Sequence, residues 1–87
     1  MDLQTELDDL HRADRHVALM RRCAWRQAQI VERLREQGRD TALAERLLAT
    51  MQDTVTVACE HRALMAGLVT WFQQQRSRTV AALQAPR

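Results

Sequence analysis

Lysine and tyrosine are absent from these 87 residues, proline and phenylalanine occur once each, and glycine and tryptophan twice each. Each shortage removes a class of fold or function. Without lysine there is no Schiff-base chemistry and no phosphate-binding P-loop, whose glycine-rich turn is missing as well. Three aromatic side chains are too few for an ordinary β-sandwich or for a platform that stacks nucleobases. With so few turn-forming residues, an all-helical chain is the class that remains. At this length it is one small domain, residues 1–87, burying about 60 to 65% of its unfolded surface.

What is present agrees with a folded chain: 46% of residues are hydrophobic and 28% charged. All thirteen basic residues are Arg, and the net charge of +2 does not by itself imply a nucleic-acid partner. The first sixteen residues carry five acids and no apolar run, so a secretory signal is not expected there. The longest uncharged stretch, Ala63 to Gln75, is too short and too rich in Gln to span a bilayer. A cytoplasmic location without membrane association is expected, with Cys23 and Cys59 as reduced thiols rather than a disulfide.

From Leu3 onward, Leu3, Leu7, Leu10, Val17, Met20, Ala24, Ala28, Val31 and Leu34 recur at helical spacing. The pattern predicts one long helix over about residues 3–37, capped by Thr5 with Asp8 or by Asp2 and closed at Gly38. After a turn at 38–40, Asp40 and Thr41 offer an N-cap for a second helix over about 41–80. Its stripe is Leu43, Leu47, Met51, Val55, Ala58, Met65, Leu68 and Phe72. The β-branched run Thr54 to Val57 and the interruption at Gly67 weaken that helix, so a break near 67 and a third helix from Leu68 form the alternative. Residues 81–87, with Pro86, are expected to fray. So short a connection folds the two helices back as an antiparallel, coiled-coil-like hairpin.

Charge placement supports that pairing. Residues 1–14 carry five acids against one Arg, a net −4, whereas 61–87 carry four Arg and no acid, a net +4. Residues 15–40 hold seven Arg against three acids, +4, facing one Arg against three acids, −2, in 41–60. Opposite signs are therefore expected along the whole hairpin, selecting the pairing more than stabilising it, since surface pairs contribute about 0 to 1 kcal/mol each.

Each helix also carries more apolar surface than one neighbour covers. Leu19, Cys23 and Ile30 lie roughly 100° around the first helix from its main stripe, and Val57, Leu64 and Trp71 are similarly offset on the second. A second copy of the chain, giving a four-helix bundle, is the simplest cover, with Leu19, Cys23, Ile30, Leu64 and Trp71 as the self-association candidates; a three-helix monomer is the alternative.

Arg15, Arg22, Arg26 and Arg33, spaced by seven, four and seven, share one face of the first helix. They form either a strip for a phosphate or acidic partner, with Trp25 as a neighbouring anchor, or a solvated outer face paired with acids of the second helix. Met20, Met51 and Met65 read as ordinary core filling or as an adaptable surface. No metal or other cofactor is expected: His11, His16, His61, Cys23 and Cys59 lack the close spacing of zinc ligands, although His16 and His61 approach one another in an antiparallel register. Nor is an enzyme expected, because two packed helices form no cavity in which a nucleophile, a base and an orienting group converge, and Ser77 is the only serine.

The stretch RQAQIVERLREQGRDTALAERLLATMQDT, Arg26 to Thr54, about a third of the chain, carries an RQ, then IV-RL, then G-DT-A-LL-T pattern. In it the chain resembles a group of short, uncharacterised helical-hairpin proteins of GC-rich bacteria. The resemblance implies a hairpin and carries no activity with it. Two functions stay open: a homodimeric helical module acting on a protein partner as regulator, adaptor or inhibitor, and a nucleic-acid-associated regulator using the Arg strip.

Overall fold

The structure, a computed structural model, describes residues 2–85. Helix α1 spans Leu3–Glu36 and α2 spans Ala42–Gln84, packed as an antiparallel hairpin with no strand among the described residues. Asp2, rather than Thr5, begins α1: its backbone is extended and its carboxylate accepts a hydrogen bond from the Thr5 amide at 2.8 Å. That backbone hydrogen bond holds the Asp2 carboxyl below its ordinary pKa of 3.8.

Gly38 ends α1 as its position predicts. With φ at 66° it turns the chain out of the helix; its amide donates to the Arg35 carbonyl at 3.0 Å and the Arg39 amide to the Leu34 carbonyl at 2.9 Å. These two bonds form a Schellman motif that satisfies the last carbonyls of α1. At the start of α2 the two expected caps separate. The Asp40 carboxylate accepts from the Ala42 amide at 2.9 Å, whereas the Thr41 side chain makes no capping bond.

Helix α2 is unbroken, so neither the break near Gly67 nor a third helix from Leu68 is formed, and the helix runs on past residue 80 to Gln84. Pro86 and Arg87 lie outside the described residues. The threonines are accommodated within the unbroken helix. Thr50, Thr54, Thr56, Thr70 and Thr79 each donate the hydroxyl to the carbonyl four residues earlier, which places their polar atoms within the helix instead of against it. Gly67 lowers helix preference by about 1 kcal/mol relative to Ala, too little to interrupt a helix packed on both sides of it.

The seam between the helices repeats every three and four residues: Glu6, Leu10, Ala13, Val17, Met20, Ala24, Gln27, Val31 and Leu34 of α1 face Ala44, Leu48, Met51, Val55, Ala58, Met65, Val69 and Phe72 of α2, all buried or half-buried. The three methionines are thus core filling. The first turn of α2 corrects the sequence reading. Leu43 and Leu47, expected in this seam, are 77% and 47% exposed, and Ala44 and Leu48 take their place. The Gln27 side chain, itself buried, donates to the Ala44 carbonyl at 2.9 Å and ties the two helices at that level.

The hairpin is a rod of 78 × 18 × 14 Å with a radius of gyration of 20.9 Å, against about 12 Å for a compact domain of this length. The most buried apolar residues are small, Ala13, Val17, Val31, Ala58 and Val69, and the larger seam side chains are only half-buried. Helix α2 has 43 residues and α1 has 34, so the last turns of α2, residues 76–84, project about 13 Å beyond the start of α1 with every side chain exposed.

Candidate interaction face

Leu19, Cys23 and Ile30 each precede a seam residue of α1 by one position, namely Met20, Ala24 and Val31. Val57, Leu64 and Trp71 stand in the same relation to Ala58, Met65 and Phe72 of α2. One step back along a helix is a rotation of about 100°. Because the helices run in opposite directions, this same-handed rotation carries both strips to the same side of the flat hairpin. The groove between the helices confirms the side: Asp9, Arg12 and His16, in register with Leu19, line it together with Ala13, His61 and Met65.

This face is apolar and exposed. Leu19, Ile30, Leu43, Leu47, Val57, Leu64 and Trp71 all lie on it, each at least 44% accessible, while Cys23 is half-buried. On α2 the pattern is a second heptad, Leu43, Thr50, Val57, Leu64 and Trp71 at steps of seven, with Leu47, Thr54, His61 and Leu68 between them. Such a repeat describes a second coiled-coil seam beside the first. Gly67 leaves open space between Leu64 and Trp71 on the outer edge of this strip. The Trp71 ring stands edge-on to Phe72, centroids 5.0 Å apart, linking the exposed strip to the buried seam.

The opposite side is polar. There Asp14, Ala18 and Arg21 share a groove with Cys59 and Arg62. Arg62 pairs with Asp14 at 2.7 Å, Arg35 with Glu45 at 2.9 Å, and the Arg21 guanidinium donates to the Cys59 sulfur at 3.5 Å. The expected meeting of opposite charges is therefore realised between the helices at two ion pairs, both on this side, among the described residues. Cys23 and Cys59 are free thiols on opposite sides of the rod.

The four arginines Arg15, Arg22, Arg26 and Arg33 run along the outer side of α1 at the shoulder of the apolar face. Among the described residues none of them forms an ion pair, so the expected pairing with acids of the second helix is not made. They point away from α2. Trp25, 65% exposed, is not on the apolar face; it stands beside Arg26, Gln29, Ile30 and Arg33 in a shallow patch on the outside of α1. His16 and His61 do share a groove as the register predicts, and among the described residues no three His, Cys, Asp or Glu side chains gather as metal ligands.

Leu43, Leu47 and Leu68 belong to the apolar face although their spacing first places them in the seam. The seven-residue repeat through Leu43, Val57, Leu64 and Trp71 is the signal that distinguishes them. Among the described residues no helix is long and apolar enough to cross a membrane. No protein-family model, no curated protein and no solved structure matches the chain.

Proposed function

We propose that the protein is a non-enzymatic interaction module: a homodimer of helical hairpins that regulates, recruits or inhibits a protein partner by occupying its surface. One observation carries this reading. Only small apolar side chains are buried inside the hairpin, the larger seam residues are half-buried, and seven large ones on one face are left in water. A hairpin with so slight a core gains stability by covering that face, and a second copy offers a surface of the same kind. Dimerisation leaves the polar side and the projecting end of α2 for the partner. Light scattering on the purified protein tests it: a mass twice the 10.1 kDa of the chain is expected, and a concentration-independent monomer refutes it.

A second reading, a nucleic-acid-associated regulator, draws on the four outward arginines without ion-pair partners among the described residues. Phosphate contacts by all four predict an affinity that falls steeply between 50 and 200 mM salt, on the order of a hundredfold. Absence of binding to duplex or single-stranded nucleic acid at low salt removes this reading.

A further inference from the structure

The apolar face has a charge arrangement that selects how a second copy sits on it. The paired part of the hairpin is about 50 Å long, the length of α1, and 18 Å wide. It offers on the order of 900 Å² per copy, against about 800 Å² per partner in a stable protein interface. Along the outer shoulder of this face α1 carries Arg15, Arg22, Arg26 and Arg33, while α2 carries Arg46, Asp53 and Glu60 at the corresponding shoulder, at steps of seven.

Two symmetric arrangements bring the faces together. A two-fold axis perpendicular to the helices lays α1 on the partner's α1 and α2 on its α2, with the turns at opposite ends. Arginine shoulder then meets arginine shoulder, and with the axis near the middle of the paired region Asp53 of each copy faces Glu60 of the other. Like charges opposed in this way disfavour association. A two-fold axis parallel to the helices instead seats each α1 on the partner's α2, with both turns at one end.

In the second arrangement the levels match. Within the hairpin, residues whose numbers sum to about 77 stand level, within a turn or two of helix, as Asp14 with Arg62 and Arg21 with Cys59 illustrate. The same levels hold between copies when both turns lie at one end. Asp53 of one copy then falls between Arg22 and Arg26 of the other, and Glu60 beside Arg15, while Arg46 comes level with Arg33, one like-charge contact against three opposite ones. The apolar residues meet as well: Val57 at Leu19, and Leu47 at Ile30.

From this complementarity we infer that the occupant of the apolar face is a second copy of the chain, seated with its turn at the same end, α1 on α2, in an all-antiparallel four-helix bundle. This inference rests on the dimer reading above and adds the orientation. It also leaves the two projecting ends of α2, each with Arg76, Arg78, Val80 and Leu83, at one end of the assembly as a basic fork.

The test is a spin-label distance. A nitroxide on Arg39→Cys, in a chain carrying Cys23→Ala and Cys59→Ala, reports the separation of the two turns. Turns at one end give a distance of about 15 to 25 Å, set by neighbouring helices of one bundle; turns at opposite ends give about 50 Å or more, the length of α1. The short distance supports the inference. The long distance overturns the orientation and leaves the dimer standing, whereas a monomeric mass with no dipolar signal overturns the dimer itself. A charge exchange gives an independent measurement: Asp53→Arg with Glu60→Arg weakens dimerisation about tenfold, and adding Arg15→Glu, Arg22→Glu and Arg26→Glu restores it. Failure of the combined variant to regain affinity over the two-residue variant contradicts the pairing.

Discussion

Asp14 and Arg62 meet at 2.7 Å, Oδ1 to Nε, across one side of the hairpin, and the other side-chain links between α1 and α2 among the described residues lie on that same side or in the seam. One side of the rod is therefore fastened by polar contacts. The other carries the exposed apolar side chains, with Asp9, Arg12, His16 and His61 along the groove between the helices, and the division of labour between the two sides governs what each substitution does.

The Asp14–Arg62 pair is about half exposed at both ends, 47% and 46%, so its contribution is small. A double-mutant cycle with Asp14→Ala and Arg62→Ala, read by urea unfolding, is expected to give a coupling below about 1 kcal/mol that shrinks further in high salt. A coupling of several kcal/mol contradicts the exposure of the pair.

The two glycines respond in opposite directions. At Gly67 a Cβ meets nothing within 4 Å and the backbone is helical, so Gly67→Ala stabilises the chain by about 0.5 to 1 kcal/mol. At Gly38 the φ of 66° is a conformation that alanine adopts at a cost of about 1 to 2 kcal/mol, so Gly38→Ala lowers the midpoint of thermal unfolding. Calorimetry at one fixed protein concentration checks both.

The hairpin itself was legible from the sequence, and the reasons are local. Gly38 with Asp40 marks a stop and a start two residues apart, and the Leu3 to Leu34 spacing permits only a helix. The level of α2 was less legible. Leu43, Ala44, Leu47 and Leu48 are all apolar and sit on adjoining parts of the helix, so periodicity alone allows either pair to face α1; the structure turns Ala44 and Leu48 inward, with Gln27 bonded to the Ala44 carbonyl. Residues 54–57 and Gly67 read as weak helix because propensity counts single residues, whereas packing along α1 acts on the whole helix at once. Cys23, Ile30, Leu64 and Trp71 were readable as surplus apolar residues, but their gathering on one face with Leu19 follows only when the one-residue offset is applied to two antiparallel helices. The exposed place of Trp25, away from that face, carries no signal in composition and follows from its angle on α1.

Leu64 distinguishes a free face from a covered one. It is 68% exposed in the single hairpin, so Leu64→Ala changes the stability of an isolated chain by less than about 0.5 kcal/mol. Covered by a second copy it loses about 1 to 2 kcal/mol of apolar burial per chain, and Trp71→Ala more. Unfolding curves at two protein concentrations separate the cases: in a dimer the wild-type midpoint rises with concentration, and the variants lower it at both.

Acid affects the start of α1. The Asp2 carboxyl titrates below 3.8 because the Thr5 amide donates to its ionised form. A group with a depressed folded pKa contributes its stability above the unfolded value and loses it as pH falls through the folded one. The amide signal of Thr5 in NMR spectra is therefore expected to shift at a pH below 3.8, and Asp2→Ala to increase hydrogen exchange in the first turn at neutral pH. A Thr5 amide that stays unmoved through that range contradicts the cap.

The face formed by Leu19, Ile30, Leu47, Val57, Leu64 and Trp71 is the centre of this account, and sedimentation equilibrium of the wild type beside Leu19→Glu with Ile30→Glu tests it most directly. The wild type is expected at twice the 10.1 kDa chain mass and the double variant at the chain mass with its helical content retained. A wild type that sediments as a monomer at all concentrations, or a double variant that keeps the dimer mass, contradicts it.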